Sequence, residues 1–136
     1  VNRQYPFEKW QKIVNSLHDK VQVVQIGTTD GPLLENVIDF RGLTSFREAT
    51  ILIGESKLLL GSEGGLVHAA TAVETPALVV ITGYQTEKMV AYPQNINVNI
   101  ASHGPCGLKI KCDECEKDAN NHNEQEIVDK ALEFLL

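Results

Sequence analysis

Apolar residues along this chain follow two alternating patterns, short aliphatic runs and stretches with a helical period. The patterns are clearest at residues 57–80, where the run 58–60 leads into a Gly-rich turn at residues 61–65. The next apolar positions have the spacing i, i+3, i+4, i+7 and are Leu66, Ala69, Ala70 and Val73. Pro76 and a second aliphatic run then follow. This order predicts a βαβ unit, in which a helix connects two parallel strands.

The same two patterns recur on both sides of this unit. Helical spacing predicts helices at residues 6–17, 45–54 and 124–136, and the second of these begins with the S-x-x-E pattern of a capping box. Alternating or aliphatic runs predict strands at residues 21–26 and 96–100, the latter an edge strand. The expected fold class is therefore α/β, a Rossmann-like layered domain with a parallel sheet.

Length and charge limit what the chain can do. Its 136 residues fit one domain, residues 1–136, and a net charge of −6 without a basic face disfavours nucleic-acid binding. No apolar run reaches the roughly 18 residues of a membrane span, and no signal-peptide pattern is present. We expect a cytoplasmic location. Because the chain starts at Val1 and a helical pattern follows at once, we expect a fragment of a longer protein.

The turn between the first strand and the helix of the βαβ unit can bind an anion. Gly64 and Gly65 let backbone N–H groups approach a bound group closely, and the helix dipole favours a phosphate there. His68 lies off the apolar stripe within the first turn or so of the helix, so its imidazole could face the same anion. Alternatively, the two glycines only make a tight turn and His68 is a surface residue.

All three cysteines lie within ten residues, in a loop at residues 103–122. Cys112 and Cys115 have the C-x-x-C spacing with which two thiolates bind one tetrahedral metal, and Cys106 precedes them. The fourth ligand would be His103, His122 or a group outside the chain. A structural Zn or Fe site, free or redox-labile cysteines, and a disulfide remain open. A catalytic thiol is disfavoured, since no Cys-His-Asp grouping surrounds the cysteines.

Four segments carry a family resemblance when taken in order. They are Arg3-Gln4-Tyr5-Pro6 before a Trp-containing helix, the strand ending at Gly27, residues 42–46 opening a helix, and residues 61–70. Together they resemble the C-terminal half of glycosyltransferase family 9, the heptosyltransferases, over nearly the whole chain. The most specific element is the acidic-x-Gly-x-x-His turn from Glu63 to His68. The Cys-containing segment resembles family variants that heptosylate autotransporter proteins.

The resemblance implies the donor-binding lobe of a GT-B enzyme. In such an enzyme an N-terminal Rossmann-like lobe binds the acceptor, and the C-terminal lobe binds a nucleotide sugar such as ADP-heptose. The implied reaction transfers heptose to a lipopolysaccharide or protein acceptor and requires no cofactor. The acceptor lobe and its general base would lie outside this chain, and membrane contact would be at most peripheral, at the inner face.

Site residues follow from the resemblance position by position. Glu63 and His68 are implied to be catalytic, and Glu63 stands where the family usually has Asp. We expect the Glu63 carboxylate to bond a sugar hydroxyl or the turn backbone, because a diphosphate would repel it. The residues implied to bind the donor are Arg3, Gly27, Thr28, Leu43, Thr44, Gly64, Gly65 and His68. Arg3 replaces a Lys that pairs with phosphate, and Asp30 lies near the ribose contacts.

Helix-start amides, a cation and His68 would stabilise the charge on the leaving diphosphate, so the isolated domain should bind a donor without turning it over. Two alternatives remain open. One is a non-catalytic nucleotide-sugar-sensing module or metal-stapled scaffold, assembling with partners through the loop at residues 106–115. The other is a GT-B-shaped epimerase, which would need more acidic and basic residues around the sugar.

Overall fold

The computed structural model describes residues 4–84, 91–108 and 110–136. Within these ranges the chain forms a mixed α/β domain with five helices and five strands. The helices are α1 (Phe7–Leu17), α2 (Phe46–Gly54), α3 (Gly65–Ala72), α4 (Asp113–Asn121) and α5 (Gln125–Leu135). The strands are β1 (Val24–Gln25), β2 (Ile38–Asp39), β3 (Leu59–Ser62), β4 (Ala77–Ile81) and β5 (Ile96–Asn99).

The strands form two small parallel sheets. One has the order β3-β4-β5, with Leu60 opposite Leu78 and Val80 opposite Val98. The other pairs β1 with β2, with Val24 opposite Ile38. The predicted βαβ unit is thus confirmed as β3, α3 and β4, and β5 lies at the edge of its sheet as its Asn alternation predicted.

Strand β4 is buried on both faces, which explains its continuous aliphatic sequence. Leu78 and Val80 pack into a core cluster with Ile13 of α1 and Ile127 of α5, all at most 1% exposed. The alternate residues Ala77, Val79 and Ile81 pack with Val67 of α3. Helices α1 and α5 therefore cover one side of β4, and α3 covers the other.

A local sequence signal sets the start of α2. The predicted capping box at α2 is present: the Glu48 N–H donates to Ser45 Oγ at 3.2 Å, and the Ser45 N–H donates to Glu48 Oε1 at 3.1 Å. In α3 the predicted buried stripe is partly wrong. Val67 is buried, whereas Leu66 is only half-buried and Val73 is exposed. Val73 is the C-cap, where the helical face ends.

Two further elements differ from the sequence prediction. Strand β1 has two residues instead of the six predicted, and residues 113–121 of the predicted Cys-containing loop form α4. Helix α4 buries only two of its nine residues, so it lacks the apolar stripe by which the other helices were recognised. Across the described ranges, none of the helices has both the length and the apolar character required to cross a membrane.

Candidate functional site

A cleft of about 890 Å³ opens at the carboxyl ends of β1 and β3. Ser62 and Glu63 line it at the end of β3, and residues 4–7 with Trp10 line it from the start of α1. Gln25 and part of the loop at residues 31–34 form another side. The remaining wall comes from α4 and the two residues before it, and consists of Lys111, Cys112, Cys115, Glu116, Ala119 and Asn120. Ligands of parallel α/β proteins bind at this end of the strands.

Glu63 connects the ends of two neighbouring strands. Its carboxylate accepts a hydrogen bond from the Thr82 backbone N–H and another from the Thr82 hydroxyl, both at 3.2 Å. Thr82 follows the last residue of β4, and both side chains are buried. Thr82 therefore holds Glu63 beside the cleft. The Glu63 carboxylate is satisfied by two donors, the backbone N–H and the hydroxyl of Thr82.

The Gly-rich turn leads into the amino end of α3. Gly64 is the N-cap, Gly65 is the first helical residue, and His68 is exposed in the first turn. His68 Nδ1 lies 2.5 Å from the Tyr92 hydroxyl, and the two rings meet edge to face. The first-turn amides and helix dipole make this end suitable for an anion.

The other predicted donor residues lie on neighbouring loops. Gly27 and Thr28 are exposed after β1, where the Gly42 N–H donates to the Gly27 carbonyl at 2.7 Å. Leu43 is exposed and Thr44 is half-buried before α2. The cleft is instead lined by the later part of the β1 loop. Among the described residues that the resemblance implies for donor binding or catalysis, Glu63 is the one that lines it. Arg3 lies outside the described residues.

Three side chains of the cysteine region lie close enough to hold a metal ion. The candidate ligand atoms of His103, Cys112 and Cys115 all lie within 4.8 Å of one another. His103 Nε2 is 3.7 Å from Cys112 Sγ and 3.4 Å from Cys115 Sγ. Tetrahedral zinc ligands with Zn–S bonds of about 2.3 Å stand about 3.8 Å apart. The observed separations therefore fit the edges of a tetrahedral site.

The third cysteine lies beside this group of three, and His122 does not. Cys106 Sγ lies 3.5 Å from Cys115 Sγ, which makes Cys106 a candidate for a further ligand. His122 instead lies 2.7 Å from the Tyr5 hydroxyl through Nδ1 and 2.7 Å from Glu126 Oε1 through Nε2. Of the two histidines proposed from the sequence, His103 is the one positioned as fourth ligand.

An acidic residue orients the His103 ring. Its Nδ1 lies 3.0 Å from Asp118 Oδ2, while its Nε2 faces the sulfurs. Asp118 is fixed in turn by the Ser102 N–H at 2.8 Å and the Ser102 hydroxyl at 2.7 Å. A carboxylate behind a metal-facing imidazole is the usual outer partner of a metal-binding histidine, since it sets the ring's orientation and tautomer.

Protonation differs between the two C-x-x-C cysteines. A hydrogen bond from the Cys115 backbone lowers the pKa of Cys112 to about 7, helped by His103 and Cys106. Burial, together with hydrogen bonds to Cys112 and Cys106, raises the pKa of Cys115. Burial alone would lower the pKa of His103, but hydrogen bonds to Cys112 and Asp118 outweigh it and raise it. Of these two cysteines, Cys112 is the one that more readily supplies a thiolate.

The cysteine loop is docked on the end of β4 through glycine. A Cβ at Gly83 would lie 2.8 Å from His103 Cε1 and 2.9 Å from Nε2. A Cβ at Gly104 would lie 2.7 Å from the Gly83 carbonyl oxygen. The Cys106 N–H also donates to that carbonyl at 2.7 Å. The candidate metal site is therefore connected to Thr82, and through it to Glu63.

Sequence reasoning missed Asp118, although the sequence carries a signal for it. Asp118 is three residues after Cys115, a spacing that places both on one face if the segment is helical. Because residues 113–121 lack the apolar pattern of a helix, the sequence did not indicate that Cys115 and Asp118 share a helical face.

Comparisons with protein-family models, with curated proteins and with solved structures gave no match to this chain.

Proposed function

We propose that this chain is the Rossmann-like donor-binding domain of a GT-B glycosyltransferase, binding a nucleotide sugar in the cleft beside Glu63. One observation carries the proposal. The acidic Gly-rich turn between β3 and α3, which resembles the heptosyltransferase turn, lies beside an 890 Å³ cleft at the carboxyl ends of parallel strands. A volume of this size suits a nucleotide-sized ligand.

The proposed chemistry divides the donor between two parts of the site. The diphosphate binds at the amino end of α3, where the backbone amides of Gly64 and Gly65 and the His68 imidazole stabilise the charge that develops on the leaving group. Glu63 lines the cleft and hydrogen-bonds the sugar, while its links to Thr82 hold it in position. The donor is ADP-heptose, and the acceptor is lipopolysaccharide or protein. A second lobe supplies the acceptor site and base.

The test is an NMR titration of the domain with ADP, ADP-heptose and UDP-sugars. We expect ADP compounds to shift the amides of residues 62–68 selectively. His68→Ala should weaken binding about tenfold, whereas His18→Ala, at the exposed end of α1, should leave affinity unchanged. If only UDP-sugars shift these amides, the donor is a UDP-sugar and not ADP-heptose. Failure of every nucleotide sugar to bind the folded domain would contradict the proposal.

We also propose that His103, Cys106, Cys112 and Cys115 hold a structural metal ion, Zn²⁺ or iron. The close approach of one imidazole and three sulfurs supports this, since thiolate-rich tetrahedral sets favour these metals. Elemental analysis of purified protein should give one metal per chain. A Cys115→Ser variant should lose it, and equal metal content in both proteins would contradict the site.

A metal-stapled scaffold without nucleotide-sugar binding is the second candidate, favoured by the same cluster of ligands. The two functions separate in one experiment. A metal-loaded, folded domain that binds no nucleotide sugar supports the scaffold, whereas ADP-heptose binding supports the donor domain.

A further inference from the structure

Helix α4 is weakly anchored by apolar contacts. It buries Cys115 and Ala119, and the buried N-cap Cys112 precedes it. The same helix has Asp113, Glu114 and Glu116 in its first turn. Burial of a cysteine and an alanine contributes little compared with the aliphatic faces of α1 and α5. Something other than hydrophobic burial must therefore hold the amino-terminal half of α4 in place.

The two ends of α4 are attached by different chemistry. Cys112 and Cys115, at the amino end, lie among the candidate metal ligands, with His103 and Cys106 on the preceding loop. The carboxyl end is followed by His122, which pairs with Tyr5 and Glu126. The second attachment uses no metal ligand. The two halves of the helix should therefore respond differently to a metal.

We infer that a metal ion bound by His103, Cys106, Cys112 and Cys115 docks the amino-terminal half of α4 and thereby builds one wall of the cleft. This inference rests on the proposed metal site. The ligands come from two segments, the loop after β5, which carries His103 and Cys106, and the start of α4, so one ion connects the loop to the helix. Metal coordination supplies binding free energy that these short polar segments lack.

The consequence for the cleft follows from its lining. Cys112, Cys115 and Glu116 at the amino end of α4 line the cleft, as do Ala119 and Asn120 nearer the carboxyl end of the helix. Without the ion that wall is loosely held, and the cleft loses its shape on one side. Nucleotide-sugar binding and metal loading are therefore coupled, with the metal-loaded form as the binding-competent one.

Amide hydrogen exchange on zinc-loaded and EDTA-treated full-length domain tests the inference without any nucleotide. The Glu116 N–H, bonded to the Cys112 carbonyl at 3.0 Å, reports the amino end of α4, and the His122 N–H, bonded to the Asp118 carbonyl at 3.0 Å, reports the carboxyl end. Zinc should slow exchange at Glu116 by about tenfold or more and change His122 much less.

A glycine pair provides matched variants. Gly83→Ala places a Cβ 2.8 Å from the His103 ring and should displace this ligand, whereas Gly61→Ala has nothing within 4 Å of its new Cβ. Only Gly83→Ala should weaken zinc binding and abolish the zinc-dependent protection of Glu116. If Gly83→Ala fails to fold, His103→Ala removes the same ligand from a half-buried position.

The outcomes separate the proposals. If zinc binds but the Glu116 N–H exchanges at the same rate in the zinc-loaded and EDTA-treated domain, this inference is wrong and the proposed metal site is unaffected. Absence of zinc binding would overturn both. Failure of ADP-heptose to bind the zinc-loaded domain would count against the donor role alone, because the exchange experiment contains no nucleotide.

Discussion

Helices α1 and α5 are held against the domain in one way, and helix α4 is held in another. Ile13, Leu17 and Ile127 are at most 1% exposed and form one apolar cluster with β4. Helix α4 has no such stripe and lies against the domain through cysteine, histidine and Asp118. The first attachment depends on area removed from water. The second depends on ligand geometry and on what the ligands bind.

This difference indicates that stability and ligand binding depend on different parts of the domain. Apolar burial at α1 and α5 is present in every condition in which the chain folds, so it supplies the scaffold. The α4 wall borders the cleft, and under the inferred metal docking it is the part whose order would change with metal supply. Elements that move in binding are drawn from the less stable parts of a protein.

The largest expected effect comes from breaking the apolar side. Ile13→Ala removes a fully buried side chain from the α1 and α5 cluster and should lower the free energy of unfolding by about 2–5 kcal/mol, through lost transfer energy and a cavity. Urea denaturation measures it. Ile51→Ala, at an α2 position that is 61% exposed, should change the same quantity by less than about 0.5 kcal/mol. Equal losses would contradict the core assignment.

The next largest effect is expected at the proposed metal site beside α4. Asp118→Asn keeps the shape but weakens the hold on the His103 ring, so metal affinity should fall about 10–100-fold. Competition with a chelating dye measures the affinity, and Asp129→Asn, on the exposed face of α5, is the matched control. The urea midpoint of the metal-free protein should change little. A change in that midpoint with unaltered affinity would show a merely structural role.

The same contrast explains how much of the fold could be predicted from the sequence. Helices α1, α2 and α5, strand β4 and the βαβ unit follow from apolar periodicity, because burial produced that periodicity. The capping box at Ser45 followed from its four-residue pattern, since its bonds are local. Strand β1 is shorter than its aliphatic run because burial extends beyond the paired residues.

The candidate site was predictable only in part. Clustering of cysteines indicated a metal site, but choosing His103 over His122 required knowing that Tyr5 and Glu126, far apart in sequence from each other, meet at His122. Glu63 was identified from its turn, whereas its partner Thr82 lies 19 residues away, just after the next strand. The predicted βαβ unit places the two strand ends side by side, but it does not show which side chains pair there.

Helix α2 offers an intermediate case, held by local hydrogen bonds as well as by buried Ala49 and Ile53. Ser45→Ala removes the acceptor for the Glu48 N–H and should cost about 1 kcal/mol of unfolding free energy. Ser16→Ala is the control, because its hydroxyl bonds a carbonyl within α1 and caps no helix start. A Ser16→Ala loss as large as that of Ser45→Ala would contradict the cap's role.

The smallest expected effect comes from a charged contact between α1 and the start of α5. Glu124, at the start of α5, lies 3.3 Å from Lys9 Nζ and 3.5 Å from Lys12 Nζ of α1. Its own backbone N–H, and then the two lysines, lower the pKa of its carboxyl below the usual value. A lowered pKa in the folded state means that the carboxylate stabilises the fold above its unfolded pKa. That contribution is lost as the pH falls through the folded value.

Glu124→Gln should therefore lower the free energy of unfolding by less than about 1 kcal/mol at pH 7. At pH 3 the difference from the unmodified chain should shrink, because the carboxyl becomes protonated. Urea denaturation at the two pH values measures this, with Glu133→Gln at an exposed position of the same helix as control. A difference that grows toward low pH would contradict the sign. Zinc should leave this difference unchanged, since the contact belongs to the side of the domain held by apolar burial.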